Sequence, residues 1–420
     1  MFRIKNLLII LVTFFTFFLL ISSVSASNFY VSDNTTHKDI TNWMKKDAKK
    51  GDNLIFNTSY YDLSDTLTIS KSVNIKSFKS TVIKFNKLES MFNVKINNVN
   101  FTGINLIHNY EGISNVYGIS TILASQSYQL INFKNVNITG NMENVTLSSK
   151  LKKEAKKEKY IDLFHYSGIY IDMWKGNVTN CNIFANGELS NALSPSHWIG
   201  NIKNSNITSK GKETICVTLA WTWKGNLINS NIFANGFDSA AIHSPFWRGK
   251  MEKSKIYSCG NASYPYNTIS PNAAIVSYRS KGQVSNCIIK SNNSHGIVAS
   301  YNMKVNNCII SHKKGFKKIY RNKADLKINS VKKHENNYYI TIKNIGDYQS
   351  KDCYLLLKTS TLTKKIKIHS MAESFGGPET YKIKIPKKYA NKYYTKTIIL
   401  DYYKQNKEHN KKNNIYKFKF

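Results

Sequence analysis

One short motif recurs through the middle of the chain at a near-constant interval, and few folds can accommodate that. It reads Gly176-Asn177-Val178-Thr179-Asn180-Cys181-Asn182-Ile183, then Gly200-Asn201-Ile202-Lys203-Asn204-Ser205-Asn206-Ile207, then Gly225-Asn226-Leu227-Ile228-Asn229-Ser230-Asn231-Ile232. Further copies start at Gly249, Gly282 and Val305, and weaker ones lie upstream at residues 133–138 and 96–101. A unit of roughly 24 residues is too short for a helix pair and too polar for a buried helix. Short β-stretches broken by Asn and Gly turns fit it. Each unit then makes one coil of a parallel β-helix, with coils stacked at the interstrand spacing of ~4.8 Å.

Stacking places like residues on like. The recurring asparagines (Asn98, Asn135, Asn180, Asn204, Asn229, Asn286 and Asn307, with Lys253 as the exception) are expected to form a ladder at a tight turn. Their amides can bond up and down the stack and tolerate left-handed backbone angles. The next position is small: Val99, Val136, Cys181, Ser205, Ser230, Ser254, Cys287 and Cys308. Cys287 and Cys308 fall on neighbouring coils, close enough to bridge, but Ser elsewhere in the slot favours reduced thiols. Residues 39–50 have helical composition and would cover the open first coil, while residues 150–159 read as a charged helical insertion. The β-helix thus occupies residues 27–320.

Arg3 and Lys5 precede an apolar run and a small-residue end at Ala26, the parts of a secretory signal peptide. Cleavage between Ala26 and Ser27 is expected, an uncleaved membrane anchor being the alternative. The rest of the chain is then outside the cytoplasm, secreted or held at the cell surface or envelope. Six Cys in 420 residues do not make a disulfide scaffold. Nine Asn-x-Ser/Thr triplets begin at Asn34, Asn57, Asn100, Asn137, Asn144, Asn177, Asn206, Asn261 and Asn292, as an Asn-rich chain produces by chance. The formal charge is +35. Such a surface can attract anionic wall polymers, glycans or lipid head groups, or can serve solubility alone. Nucleic acid is not an expected partner, because no recognition fold accompanies the charge and the chain is exported.

Past Arg321 the repeat stops. About seven short strands then follow to the end, a pattern that suggests an immunoglobulin-like β-sandwich over residues 321–420.

The opening segments (KKGDNLIF, LTISKSVNIKS, STVIKF) and the Asn-rich coils resemble the adhesin-like proteins of methanogenic archaea, built on a right-handed parallel β-helix similar to the pectin lyase fold. The last hundred residues resemble a CARDB domain, a cell-adhesion-related sandwich, through ADLKI at 324–328, YYITIKNIGDYQSKD at 338–352 and the ending from Asp401 through KEHNKKNN at 407–414. Lys411 and Lys412 depart from that family's more acidic ending. The resemblance implies a surface binding or structural role and supplies no catalytic, cofactor or metal residues.

Polysaccharide-cleaving β-helices need clustered acids and a base. The acids here are Asp162, Asp172, Glu188, Glu213, Asp238 and Glu252. Counted from Trp174, the coil equivalents of Asp172 are Ser196, Trp221 and Pro245, so no stacked acid pair is expected. His165, His197, His243 and His295 sit at different phases, against a metal centre. Trp174, Trp198, Trp223 and Trp247 share one phase, two residues before each repeat Gly. Either they form a platform for the flat faces of sugars or they pack inside. The reading is therefore a non-catalytic surface protein binding glycan or wall polymer through the β-helix. The alternatives are a polysaccharide lyase or hydrolase and a purely structural envelope component.

Overall fold

The computed structural model describes residues 26–420 apart from 127, 159–163, 218–221, 262–272, 278–279, 301, 316, 322, 335–336, 347–349, 359–362, 372–378, 385–395, 407, 409 and 419–420. The apolar head of the chain, Asp162 and Trp221 lie outside the described residues. The fold is all-β. Successive coils stack their strands in parallel on three faces of a parallel β-helix, and the coils carrying Trp174, Trp198, Trp223 and Trp247 add a fourth short strand, Met173–Lys175, His197–Ile199, Thr222–Lys224 and Phe246–Arg248.

Face one runs from Asn28–Val31 through Asn53–Phe56, Asn74–Ser77, Val99–Thr102 and Gln129–Lys134 to Lys304–Asn306, each strand parallel to the next. Face two follows the Asn turn, as in Asn137–Met142, Asn182–Gly187 and the first half of Asn206–Val217. Face three follows, as in His165–Ile171, Leu189–Leu193 and His295–Ala299.

The core is built from columns. Inside face one, Leu54, Ile75, Phe101, Phe133, Val178, Ile202, Leu227, Met251 and Val284 lie in continuous register and are buried. Inside face two, Ile83, Leu106, Ile138, Ile183, Ile207, Ile232, Ile256 and Ile289 do the same. One apolar position per strand is enough because its neighbours above and below supply the rest of its contacts.

Every expected turn residue is left-handed, from Asn98 (φ 60°) to Asn307 (φ 49°), and Lys253 shares the conformation (φ 49°). The amides bond from coil to coil: Asn180 Nδ2 donates to Asn135 Oδ1 (3.1 Å), Asn204 to Asn180 (3.2 Å) and Asn229 to Asn204 (3.0 Å). The small slot asks for more than size in most coils. Ser205, Ser230 and Ser254 each donate Oγ to the carbonyl two residues back at 2.8 Å, bridging the turn. Cys287 and Cys308 are not bridged.

The helix His37–Lys46 covers the first coil. Thr36 and Asp39 cap it reciprocally, with Asp39 N donating to Thr36 Oγ1 (3.2 Å) and Thr36 N to Asp39 Oδ2 (2.8 Å). Its Ile40, Trp43 and Met44 are buried in the same core, Trp43 stacked on Phe29. The charged insertion is the helix Ser149–Glu158.

Among the described residues the C-terminal region has seven antiparallel strands in two sheets. Leu326–His334, Asn337–Asn344 and Glu379–Lys384 form one; Thr363–Ile368, Cys353–Lys358, Lys396–Ile399 and Ile415–Phe418 form the other in that order. Ile340 and Ile342 of the first share a core with Leu355, Leu357 and Ile398 of the second.

Candidate functional site

The four tryptophans lie inside the coils. Trp174, Trp198, Trp223 and Trp247 are in register on neighbouring strands. They are 1%, 1%, 0% and 0% exposed, so of the two readings left open the internal packing holds and the sugar platform is corrected: no indole face meets solvent. Trp174 and Trp198 stack at 4.4 Å between centroids, Trp198 and Trp223 at 5.2 Å. Each indole N–H donates to a carbonyl of the preceding coil, Trp174 to Ile131 (2.8 Å), Trp198 to Gly176, Trp223 to Gly200 and Trp247 to Gly225 (all 3.0 Å). A buried indole needs that acceptor.

The glycine two residues later follows from the same geometry. A Cβ on Gly200 would lie 1.7 Å from the Gly176 carbonyl oxygen and 2.7 Å from its own coil's Trp198 Nε1. The stack ends where Trp247 lies against Gly282, whose added Cβ would fall 2.3 Å from the ring.

The outer surface carries three amide columns, of which the sequence reading identified one. Along face one, Asn53 donates to Asn28 (2.7 Å), Asn74 to Asn53 (3.0 Å), Asn100 to Asn74 (2.8 Å) and Asn132 to Asn100 (3.0 Å). It continues through Asn201 to Asn177 and Asn226 to Asn201, both 2.9 Å. Along face two, Asn182 donates to Asn137 (2.7 Å), Asn206 to Asn182 (2.9 Å) and Asn231 to Asn206 (2.6 Å). Four triplet asparagines, Asn100, Asn137, Asn177 and Asn206, are thus ladder members.

A polar cleft of 470 Å³ opens at the end of face two. Its lining is Lys84, Asn86, Asn109, Tyr110, Glu111, Asn141, Glu143 and Asn144, drawn from three successive coils. Two of those coils are longer here, and their extra strands Gly112–Ser114 and Val145–Leu147 pair to form a rim. Asn186 Nδ2 donates to Asn141 Oδ1 (2.9 Å) and Glu143 Oε2 (3.0 Å), holding that wall. Asn109 Oδ1 is buried and accepts no hydrogen bond from any described residue. An acceptor in that state is open to a ligand donor. The reading of the repeat missed this cleft, because its residues lie in the segments where the period breaks.

On face three a second recess of 290 Å³ is lined by Tyr117, Ser120, His165, Ser167 and Tyr170 among others. His165 Nε2 accepts from Asn191 Nδ2 at 2.9 Å, and burial takes its pKa down to about 4, so it is neutral. His243 is half-buried and its pKa is lowered in the same way by desolvation, His197 is exposed, and His295 Nδ1 accepts from Lys317 N at 2.9 Å. None of the four is in register with another. Among the described residues no three His, Cys, Asp or Glu side chains gather as metal ligands.

The acids require a correction. Glu213 and Asp238 are Cα partners on neighbouring coils, with Leu189 before them. Counting from Trp174 tested only the position of Asp172. Glu213 and Asp238 lie earlier in their coils, aligned through Asn206 and Asn231.

No family model, no curated protein and no solved structure matches this chain.

Proposed function

We propose that this is an exported, cell-surface, adhesin-like protein that binds glycan or wall polymer on the flank of its β-helix without cleaving it. The cleft around Asn109 carries the reading. Four asparagines, two glutamates, a lysine and Tyr110 converge there, with one amide oxygen left for a guest. Hydroxyl-rich sugars suit such a lining, since each hydroxyl both donates and accepts and a tyrosine ring covers an apolar sugar face. The C-terminal strands support the surface role. Their order, first, second and fifth against fourth, third, sixth and seventh, is compatible with an immunoglobulin-like, CARDB-like sandwich. Its resembling ending is knitted inward: Leu326 N donates to Glu408 Oε2 (3.0 Å) and Asn414 Nδ2 to both Glu408 oxygens (2.9 Å).

Glycan-array screening tests the proposal. Tyr110→Ala, half-buried at the rim, is expected to weaken the best glycan by about 1 kcal/mol or more, with only a small loss of melting temperature from the part of the ring that packs on the core. Unaltered binding in that variant, or no glycan bound by the parent, removes it. The register pairing of Glu213 with Asp238 favours one other reading, a polysaccharide lyase or hydrolase. Incubation with uronic-acid polymers, with and without Ca²⁺, distinguishes it by release of reducing or unsaturated ends.

A further inference from the structure

All three amide columns stop at the same coil. In register after Asn226, Asn229 and Asn231 come Lys250, Lys253 and Lys255. The bonded chain reaches Asn226, Asn229 and Asn231 and goes no further as side chains; only the Lys250 backbone N–H continues it, to Asn226 Oδ1 at 2.9 Å. The substitutions do nothing evident for the fold. A lysine is poorly suited to the left-handed conformation that Lys253 adopts, where asparagine is tolerated. None of the three ammonium groups forms a salt bridge or hydrogen bond among the described residues, and all three are exposed. They therefore do not cap the carbonyl ends of the columns they interrupt.

Cations gather around this coil. Exposed Arg248 precedes Lys250 and is in register with exposed Lys224. Exposed Lys304 lies two coils beyond Lys250, past Gln283. The acid among them, Glu252, is half-buried and takes Ser285 Oγ at 3.5 Å. Exposed amides flank the lysines on both sides, Asn229 and Asn231 before and Asn286 and Asn307 after. A run of positions that gives up three ladder bonds at once, in favour of unpaired like charges, is where local rules yield to function.

The geometry points to this coil as a binding site for an acidic polysaccharide, its carboxylates met by Arg248, Lys250, Lys253 and Lys255 and its hydroxyls by the neighbouring asparagines. Lysine supplies attraction without fixed geometry, which suits an extended polymer with a repeated charge. Amides at the same level favour a hydroxylated chain over a bare phosphate backbone. The chemical class deepens the glycan-binding reading, but the site is separate from the Asn109 cleft and is tested separately.

The test replaces the lysines by the repeat's own residue. The triple variant K250N/K253N/K255N regains the consensus, so its melting temperature is expected to hold or rise. Its retention on immobilised polygalacturonate at about 0.15 M salt is expected to fall on the order of tenfold. A control with equal charge loss on the distant helix, K152N/K153N/K156N, is expected to change retention less than about twofold. Tyr110→Ala is expected to leave it unchanged, so failure at the cleft is told apart from failure here. Equal losses in the two triple variants, or no loss in either, overturn the site. So does a lower melting temperature in K250N/K253N/K255N. Loss confined to duplex DNA or to phosphatidylglycerol vesicles, with polygalacturonate retention intact, overturns the choice of ligand.

Discussion

Trp198 and Gly200 act as one unit. The indole N–H reaches the Gly176 carbonyl at 3.0 Å, and the missing Cβ of Gly200 lets the coils close on that bond. Trp198→Ala is expected to cost about 3–5 kcal/mol in urea denaturation, the range for emptying a buried indole site. Trp198→Phe keeps much of the packing but leaves a buried carbonyl unmet, costing about 1–3 kcal/mol. Gly200→Ala is expected to be at least as damaging as Trp198→Ala, because its Cβ meets backbone oxygen at 1.7 Å and backbone has nowhere to go. If Gly200→Ala melts like the parent, the close approach of the coils is wrong. The 24-residue spacing made the tryptophan column legible from sequence. Its burial was not, because alternation along a coil is interrupted at every turn and loses track of which face is inside.

At the scale of elements, the two regions are expected to respond to acid in opposite directions. In the β-helix, burial pulls His108, His165 and His243 down to about 4 from an ordinary 6.5. A depressed folded pKa gives stability that is present above 6.5 and lost as pH falls toward 4, at up to about 1.4 kcal/mol per pH unit for each histidine. In the C-terminal region, burial first, with the Asp401 carboxyl beside it, raises Glu408 to about 7 from 4.5. A raised carboxyl gives stability that is complete below 4.5 and lost as pH climbs through 7. Melts between pH 8 and pH 5 are therefore expected to show the β-helix weakening and the C-terminal strands strengthening. Glu408→Gln, which keeps an acceptor for Asn414 and Leu326, is expected to flatten the second trend. A C-terminal transition that weakens on acidification contradicts the buried-proton account. The strands of both regions were legible from pattern, as was the capping helix. The Glu408 network was visible only as a resemblance, because its partners Leu326 and Glu408 lie 82 residues apart.

At the scale of the molecule, repetition decides what a sequence discloses. Where the period holds, a residue's neighbours are its counterparts one coil away, and the left-handed asparagines could be named one by one. Where the period breaks, the chain keeps its functional candidates. The Asn109 cleft sits on coils lengthened around residues 109–118 and 141–149, and the Glu213–Asp238 pairing belongs to a part of the coil that the tryptophan count does not reach. The lysine coil lies between: its one exception at Lys253 was apparent, but the simultaneous end of three columns needed the register. That register is the central claim, and engineered disulfides test it most directly. Cysteines in place of Asn206 and Asn231, Cα partners on adjacent coils, should cross-link under mild oxidation in a C259S/C308S background, identified by mass spectrometry. The pair N206C/N235C, four positions out of register, should not. Efficient cross-linking of N206C/N235C, or none in N206C/N231C, would contradict the stacked coils on which every surface described above depends.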